Sequence, residues 1–400
     1  MTTDATPASP APRHGSMFSL ALAVYIFTVV MVGTTMPTPL YPTFSAKFGF
    51  GASQTTLLFA VYAVGVVVAL ILLGRLSTRV GRKPMILAGI VLSLASAAVF
   101  MIGSEVWLLY IGRVLSGLAA GILTSTGTVT VIENAPRGRE SLATVLATAA
   151  NIGGLGLGIL MSGLVAQWAP GPLFTPFAVH AVLLVLAGLG LAGVVDRVRR
   201  DSSGPIIQLP GVPPEARHIY GVSAIGAVVG FTTSGLFSAV VPGFVKGPIG
   251  ISSPAVIGVT VCLFFLSSAA AQIILSHHSD RSLVTVGSVA SIVGLVLLIV
   301  ALVTTNVVAL VLSSLVAGAG QGLTFTAGMR AVTAATPLEH RTSVVAAYFV
   351  VAYVAISVPP VLAGILTGPM GVVGSTLLFA VVLIALTLFG LTRRREFEGV

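Results

Sequence analysis

Twelve apolar runs, each about as long as the hydrocarbon core of a bilayer requires, divide this chain of 400 residues. Only 8% of the residues are charged, against ~25% in a soluble domain, so the chain cannot cover a water-facing surface. Within a bilayer, runs of this length pair their backbone groups as α-helices. We therefore predict an all-α membrane protein with twelve transmembrane helices. The predicted spans are 17–36, 55–73, 85–103, 106–132, 142–166, 172–195, 219–242, 255–275, 283–303, 307–329, 343–366 and 372–391.

Polar segments divide the spans into two sets of six. Residues 1–16 form a tail rich in Pro, Ala and Ser, which predicts disorder. The first six-helix bundle is expected over 17–195 and the second over 219–391. A polar, proline-bearing linker, 196–218, joins them, and a second polar tail follows at 392–400.

The basic residues indicate the orientation of the spans. Of the 20 Lys and Arg, only Lys47 and Lys246 fall on the side opposite the termini, and only Arg113 falls within a span. Because Lys and Arg resist translocation, we expect both termini and the linker to be cytoplasmic in a multi-pass protein of the plasma membrane. A net charge of +9 can indicate nucleic-acid binding, but these cations are spread over short loops, so no nucleic-acid partner is expected.

The two halves of the chain repeat each other. A shift of 201 residues places Gly117 on Gly318 and Gly121 on Gly322. Six spans repeated in the same orientation form the parallel repeat of secondary transporters, in which a cavity between the halves opens alternately to each side.

The loop between the second and third spans carries the most specific motif. Residues 74–83 are Gly-Arg-Leu-Ser-Thr-Arg-Val-Gly-Arg-Lys. This loop resembles the signature of the major facilitator superfamily, Gly-x-Leu-x-Asp-Arg-x-Gly-Arg-(Arg/Lys), at every defined position except Thr78. The resemblance implies the major facilitator fold, two six-helix parallel-repeat bundles. It also implies a cytoplasmic latch, in which the loop Asp caps a helix of the opposite half. The implied latch residues are Gly74, Thr78, Arg79, Gly81, Arg82, Asp280 and Arg281.

Threonine can cap a helix but brings no charge. We therefore expect the latch of the first half to be weaker than its counterpart at Asp280, and Thr78→Asp to shift the resting protein toward the outward-open state.

Further motifs resemble the twelve-span drug/proton antiporters. They are the Gly-x5-Pro-x-x-Pro stretch at 33–42, the Arg113 motif of span 4 and the glycine-rich stretch of span 5, where Ile159 replaces the usual Pro. The first of these can equally be a proline-rich helix exit. Small residues four apart favour close helix packing, which is the role expected here of Gly117, Gly121, Gly154 and Gly158.

Polar residues within spans are the candidates for substrate binding or coupling. Arg113 is the first, because a guanidinium in a span usually faces a cavity, although it can also extend to the interface. The repeat places Gln321 at the position of Ala120, seven residues after Arg113 and so on one helix face. His180 can titrate near neutral pH or be a packing histidine. Weaker candidates, each able instead to bond a neighbouring helix, are Thr34, Asn151, Tyr62, Thr324 and Tyr353.

The carboxylates restrict the mechanism. None of the 11 Asp and Glu lies in mid-span, whereas many proton-coupled relatives carry one there. No phosphate-binding Gly-x4-Gly-Lys-(Ser/Thr) sequence occurs, so ATP is not expected as a partner. Neither a metal nor another cofactor is expected.

Three functions remain open at this point. The first is a secondary active transporter that exports a small amphipathic molecule, a drug or metabolite, in exchange for protons. The second is an uncoupled facilitator or importer. The third is a polytopic membrane enzyme, which would need clustered carboxylates or histidines to hold a metal or activate water. Of the charged residues and histidines, only Arg113 and His180 lie within the predicted spans.

Overall fold

The computed structural model of the chain describes residues 15–73, 76–196 and 210–398, without the side chain of Thr78. Within these ranges, eleven helical stretches are long and apolar enough to cross a membrane. The last stretch, Leu338–Thr392, is broken at Gly371, whose φ of 69° and ψ of 167° are not helical, so it contains two spans. The predicted all-α membrane fold with twelve spans is confirmed.

The spans are numbered α1 to α12 in chain order. They are Met17–Thr35, Ala52–Leu73, Arg82–Ile102, Val106–Glu133, Glu140–Trp168, Thr175–Gly190, Arg217–Ala239, Pro254–Ile274, Asp280–Thr304, Val307–Ala334, 341–370 and 372–392.

Residues 15 and 398, the first and last described, lie on one side of the bundle, here called the terminal face, and the opposite side is called the far face. At the far face two short helices, Tyr41–Phe48 and Val241–Lys246, follow α1 and α7. Each has a proline in its first turn. Proline is tolerated there because the backbone N–H groups of the first turn have no hydrogen-bond partner within the helix. The first begins at the end of the proline-rich stretch 33–42 and was not among the predicted helices.

The repeat is visible in how the helices pack. The helix α4 packs on α2, and α10 packs on α8. A Cβ atom placed on Gly117 would lie 2.1 Å from the carbonyl oxygen of Tyr62, and one placed on Gly318 would lie 2.1 Å from that of Phe264. Gly121 and Gly322 make the same kind of close approach one turn further on. These glycines therefore allow two equivalent helix pairs to pack with their backbones almost in contact.

The two halves meet mainly through α2 with α11 and α5 with α8. Hydrogen bonds between described residues join the halves at the far face. They are Ser53 Oγ to Gly364 O (3.0 Å), Ser253 Oγ to Gln167 Oε1 (2.8 Å) and Lys246 Nζ to Pro42 O (3.0 Å). Glycines deepen the contact, since Gly163 of α5 packs against Gly258 of α8. The far face is therefore closed in this arrangement.

Several helix ends differ from the predicted ones. The helices α4 and α10 each have 28 residues, and α10 continues to Ala334 rather than ending at 329. A helix of this length is about 42 Å long, which is more than the ~30 Å hydrocarbon core. Its end therefore extends beyond the core, where the sequence need not be apolar and hydropathy does not reveal the helix. Most of the predicted disordered tail and of the predicted linker, 1–14 and 197–209, lies outside the described residues.

Candidate functional site

Aromatic side chains cluster where the two halves meet. Phe231 of α7 contacts Phe325 of α10 at 5.1 Å between ring centroids, and Phe325 contacts Phe349 of α11 at 5.9 Å. Tyr353 contacts both Phe231 and Phe349, and across the interface it meets Tyr62 of α2 at 6.3 Å. The three phenylalanines are only partly buried. We call these five residues the aromatic cluster. It offers ring faces and edges to a planar, apolar molecule.

A chain of neutral polar groups lies beside the aromatic cluster. Gln321 Oε1 accepts a hydrogen bond from Ser268 Oγ at 2.6 Å, and Gln272 Nε2 donates to the same Ser268 oxygen at 3.2 Å. Thr326 then donates to Gln272 Oε1 at 3.2 Å. Gly230 lets α7 approach, because a Cβ atom there would lie 2.8 Å from Gln321 Cγ. Gln321, found through the repeat, thus lies next to the helix turn that carries Phe231.

This polar chain belongs to the second half alone. In the first half the repeat places three apolar residues and one serine at the corresponding positions. The glycine contacts relate α8 to α2 by 202 residues, which gives Val66 and Leu70, and the shift of 201 between α10 and α4 gives Ala120 and Ser125. The two halves therefore offer different chemistry to a molecule held between them, with most hydrogen-bonding groups on the second half.

Arg113 lies inside the first half and donates to backbone oxygens. Its Nη1 donates to Thr34 O at 2.5 Å, its Nε to Leu58 O at 3.2 Å and its Nη2 to Phe59 O at 3.5 Å. The guanidinium also lies 4.8 Å from the centre of the Tyr62 ring. Thr34 is in the last turn of α1, where carbonyls lack helical partners and a positive charge is favourable. With 1% of its surface exposed, Arg113 does not extend to the interface of the membrane.

Thr34 and His180 are also enclosed within the first half. The Thr34 hydroxyl donates to Met31 O at 2.7 Å, and His180 Nε2 lies 2.9 Å from Val29 O. His180 packs so tightly on α1 that a Cβ atom on Gly33 would lie 2.3 Å from its Cε1. The structure therefore places both residues as packing groups away from the aromatic cluster.

Asn151 occupies an irregular part of α5. Residues Ala149–Gly153 form a π-turn that packs on α1 and α8, and Asn151 is partly buried in it. Such turns often occur at functional sites. The next glycines, Gly154 and Gly158, pack α5 on α1, since a Cβ atom on Gly158 would lie 2.1 Å from Val32 O. Asn151 is thus close to the interface of the halves but is not part of the aromatic cluster.

Three members of the implied latch, Arg82, Asp280 and Arg281, form ion pairs within their own halves. In the first half, Arg82 forms an ion pair with Glu133 at 3.1 Å and donates to Ser77 Oγ at 2.9 Å. Gly81 precedes α3 with a φ of 111°, which favours glycine. Arg79 lies in the short helix Leu76–Val80.

In the second half, Asp280 pairs with Arg330 at 3.5 Å, and Arg281 pairs with Glu398. Both pairs lie within the second half, in an arrangement that is closed at the far face. Gly74 and the side chain of Thr78 lie outside the described residues, so a latch between the halves stays a prediction for the opposite arrangement.

Comparison with known proteins gives the family. The model of the Major Facilitator Superfamily matches residues 23–221 and 222–399. Over 177 residues the chain is 28% identical to the class H tetracycline resistance protein of Pasteurella multocida, covering 42% of this chain and 43% of that protein. Over 112 residues it is 35% identical to the class E tetracycline resistance protein of Escherichia coli, covering 28% and 26%. The chain thus matches less than half the length of these relatives.

Solved structures show the same fold at low identity. A crystal structure of a POT family transporter in complex with 5-aminolevulinic acid has a TM-score of 0.77 at 12% identity, covering 97% of this chain and 99% of that one. A bacterial homologue of the human lysosomal transporter Spinster, in an inward-facing and unoccupied conformation, has a TM-score of 0.67 at 15% identity, covering 96% and 97%. Together with the family match, these findings show that the chain belongs to the major facilitator superfamily of membrane transport proteins and is not an enzyme.

Proposed function

We propose that this protein is a secondary active transporter that exports a planar, amphipathic small molecule by alternating access. The observation that carries the proposal is the aromatic cluster, which lies between the halves beside the amide and hydroxyl groups around Gln321. Ring faces bind a planar apolar body, and the neutral polar groups bind its carbonyl and hydroxyl oxygens. The tetracycline resistance relatives support the same class of molecule.

The closed far face is the arrangement in which an exporter would bind its substrate. With Lys246, Ser253 and Ser53 holding the halves together there, a substrate reaches the aromatic cluster from the terminal face. We expect that face to be cytoplasmic, because it carries most of the cations. Rocking of the halves would then open the site to the outside and release the molecule.

Coupling to protons has two candidate answers. The carboxylates at the described spans lie at helix ends, as with Glu105 before α4, Glu133 at its last residue and Glu140 at the first residue of α5. Antiport therefore requires a proton site at the end of a span or on another group. An uncoupled facilitator is the second candidate, and the position of these carboxylates favours it.

Proteoliposomes can separate the two candidates. The purified protein is reconstituted with a pH-sensitive dye inside, and tetracycline is added outside under an imposed pH gradient. An antiporter accumulates tetracycline and moves protons in the opposite direction at a fixed ratio. A facilitator equilibrates tetracycline without moving protons. If tetracycline and related planar molecules are not transported under either condition, the proposed substrate class is wrong.

Variants at the site test the role of the aromatic cluster. Phe325→Leu removes a stacking ring, and a loss of about 0.5–1.5 kcal/mol corresponds to a rise of about 2–10-fold in the KM for tetracycline. Gln321→Leu removes the amide and is expected to give a rise of similar size. The matched control is Phe389→Leu on α12, where the ring is 52% exposed on the outer surface. Equal KM values for Phe325→Leu and the control would contradict the proposed site.

A further inference from the structure

Arg113 binds the turn of α2 that carries Tyr62. Its Nε donates to Leu58 O at 3.2 Å and its Nη2 donates to Phe59 O at 3.5 Å. Within an α-helix these two carbonyl groups accept hydrogen bonds from the N–H groups of Tyr62 and Ala63. The guanidinium also lies 4.8 Å from the centre of the Tyr62 ring. Arg113 therefore contacts both the backbone of this turn and the ring that projects from it.

A third hydrogen bond fixes the guanidinium itself. Its Nη1 donates to Thr34 O at 2.5 Å, in the last turn of α1. The N–H donors of a guanidinium form a planar, rigid fork, so bonds to two helices determine its orientation as well as its position. Arg113 has only 1% of its surface exposed, and a guanidinium does not release its proton in proteins. An effect of Arg113 on transport is therefore expected to pass through the residues that it holds.

The second half shows that close helix packing does not need this cation. The shift of 201 residues relates Arg113 to Ser314, and the shift of 202 relates Tyr62 to Phe264. The Ser314 hydroxyl donates to Leu310 O of its own helix at 3.0 Å. The glycine contacts of the two helix pairs are nevertheless equally close. What the cation adds in the first half is therefore its hold on the Tyr62 turn and ring.

The Tyr62 ring lies at the interface of the halves, unlike its counterpart in the repeat. It meets Tyr353 of α11 edge-on, at 6.3 Å between ring centroids. Tyr353 in turn contacts two further rings of the aromatic cluster. The Phe264 ring instead stacks on Phe237 of α7 at 5.0 Å, within the second half. Tyr62 is thus the ring that the first half contributes to the aromatic cluster.

We propose that Arg113 is a positioning residue of the transport site, which holds the Tyr62 ring against Tyr353. Arg113 then contacts neither the substrate nor a transferred proton, and its role in transport rests on the proposed function. Without the fork, the Tyr62 turn loses its side-chain donors and the ring leaves its edge contact with Tyr353. Loss of one such ring contact corresponds to a rise of about 2–10-fold in the KM for a planar substrate.

Fluorine NMR measures the position of the Tyr62 ring without any substrate. The chain has seven tyrosines, so full-length protein that carries 3-fluorotyrosine gives few signals, each assigned by a Tyr→Phe variant. Arg113→Lys keeps the charge but lacks the planar fork, and we expect it to shift the signals of Tyr62 and Tyr353. The control is the signal of Tyr220, in the first turn of α7, which should not move. A general loosening of the fold would shift all three signals.

A double-mutant cycle on transport measures whether Arg113 acts through Tyr62. In proteoliposomes, Arg113→Lys and Tyr62→Leu should each raise the KM for tetracycline about 2–10-fold. The double variant should have the same KM as Tyr62→Leu, because the ring that Arg113 holds is already absent. Gln321→Leu is the matched comparison in the other half. Its effect on KM should multiply with that of Arg113→Lys, because the two sites are separate.

The elution volume and thermal midpoint of each variant are checked first, and Arg113→Gln replaces Arg113→Lys if the latter does not fold, because a neutral amide avoids the cost of a buried charge. An unmoved Tyr353 signal in a folded Arg113 variant would overturn the proposal. KM effects of Arg113→Lys and Tyr62→Leu that simply multiply would overturn it too. If the unaltered protein does not transport tetracycline, the proposed substrate class is wrong, and the fluorine signals still decide whether Arg113 positions Tyr62.

Discussion

Replacing Gly117 by alanine is expected to separate α4 from α2. The new Cβ atom would lie 2.1 Å from the carbonyl oxygen of Tyr62, whereas ordinary contact begins at 3.4 Å, so the backbones must move apart by roughly 1.3 Å. The obstacle is backbone and cannot change its rotamer. Overpacking of this kind costs about 1–3 kcal/mol.

The displacement also affects the interface between the halves. Tyr62 is the α2 residue that contacts both the Arg113 guanidinium and the Tyr353 ring. Moving α2 relative to α4 therefore disturbs both contacts, and we expect transport by Gly117→Ala to fall together with stability.

The assay is the midpoint of thermal unfolding of the purified protein, followed by tetracycline transport. Gly318→Ala makes the equivalent contact with Phe264 O at 2.1 Å and should lower the midpoint by a similar amount. Gly188→Ala is the matched control in α6, because a Cβ atom there meets nothing within 4 Å. It should stabilise the helix by about 0.5–1 kcal/mol. A Gly117→Ala midpoint equal to that of Gly188→Ala would refute the close packing of α4 on α2.

Three further predictions follow from the described contacts. Gly364→Ala would place a Cβ atom 2.1 Å from Thr56 Oγ1, so we expect it to loosen the far face and speed maleimide labelling of Ala46→Cys; unchanged labelling would contradict this. Arg113→Ala leaves a carbonyl at the end of α1 without its charged partner, at about 1–3 kcal/mol, and Arg113→Lys should recover only part of the thermal midpoint because it lacks the planar fork; full recovery would contradict the shared carbonyl contacts. Single cysteines replacing Lys47 and Arg139 should be labelled from opposite sides of intact cells, Lys47 from outside; labelling of both from one side would exclude the twelve-span topology.

Much of the fold could be predicted from the sequence because a bilayer leaves few choices. Runs of about 20 apolar residues must be helices, and the shift of 201 residues identified two halves whose packing glycines, Gly117 and Gly318, make matching contacts. What hydropathy could not show was helix beyond the hydrocarbon core. The helical end of α10 and the short helices Tyr41–Phe48 and Val241–Lys246 have polar or mixed sequences.

The candidate site was only partly predictable. Gln321 could be found because the repeat relates it to the helix that carries Arg113. The sequence did not single out Phe231, Phe325 or Phe349. A phenylalanine in an apolar span can face lipid, the packed core or a cavity, and the sequence looks the same in all three cases. The signal that distinguishes them is tertiary, namely that the Phe325 ring lies within 6 Å of rings on two other helices, Phe231 and Phe349.

Polar residues in the spans are ambiguous for a different reason. Thr34 and His180 were singled out because polar groups in a membrane are costly, yet backbone oxygens of α1 satisfy both of them inside the first half. A polar residue in a span indicates that a partner exists, and the sequence does not tell whether that partner is a substrate or a carbonyl group.

The measurement that tests the account most directly is a pair of distances across the two faces. Spin labels at Ile132 and Ala334 report the terminal face, and labels at Gln54 and Met370 report the far face; all four positions are exposed. Double electron–electron resonance is recorded with and without tetracycline in the Cys262→Ala background. Alternating access predicts that the Ile132–Ala334 distance shortens as the Gln54–Met370 distance lengthens. Transport that proceeds while both distances stay constant, or change in the same direction, would contradict the account.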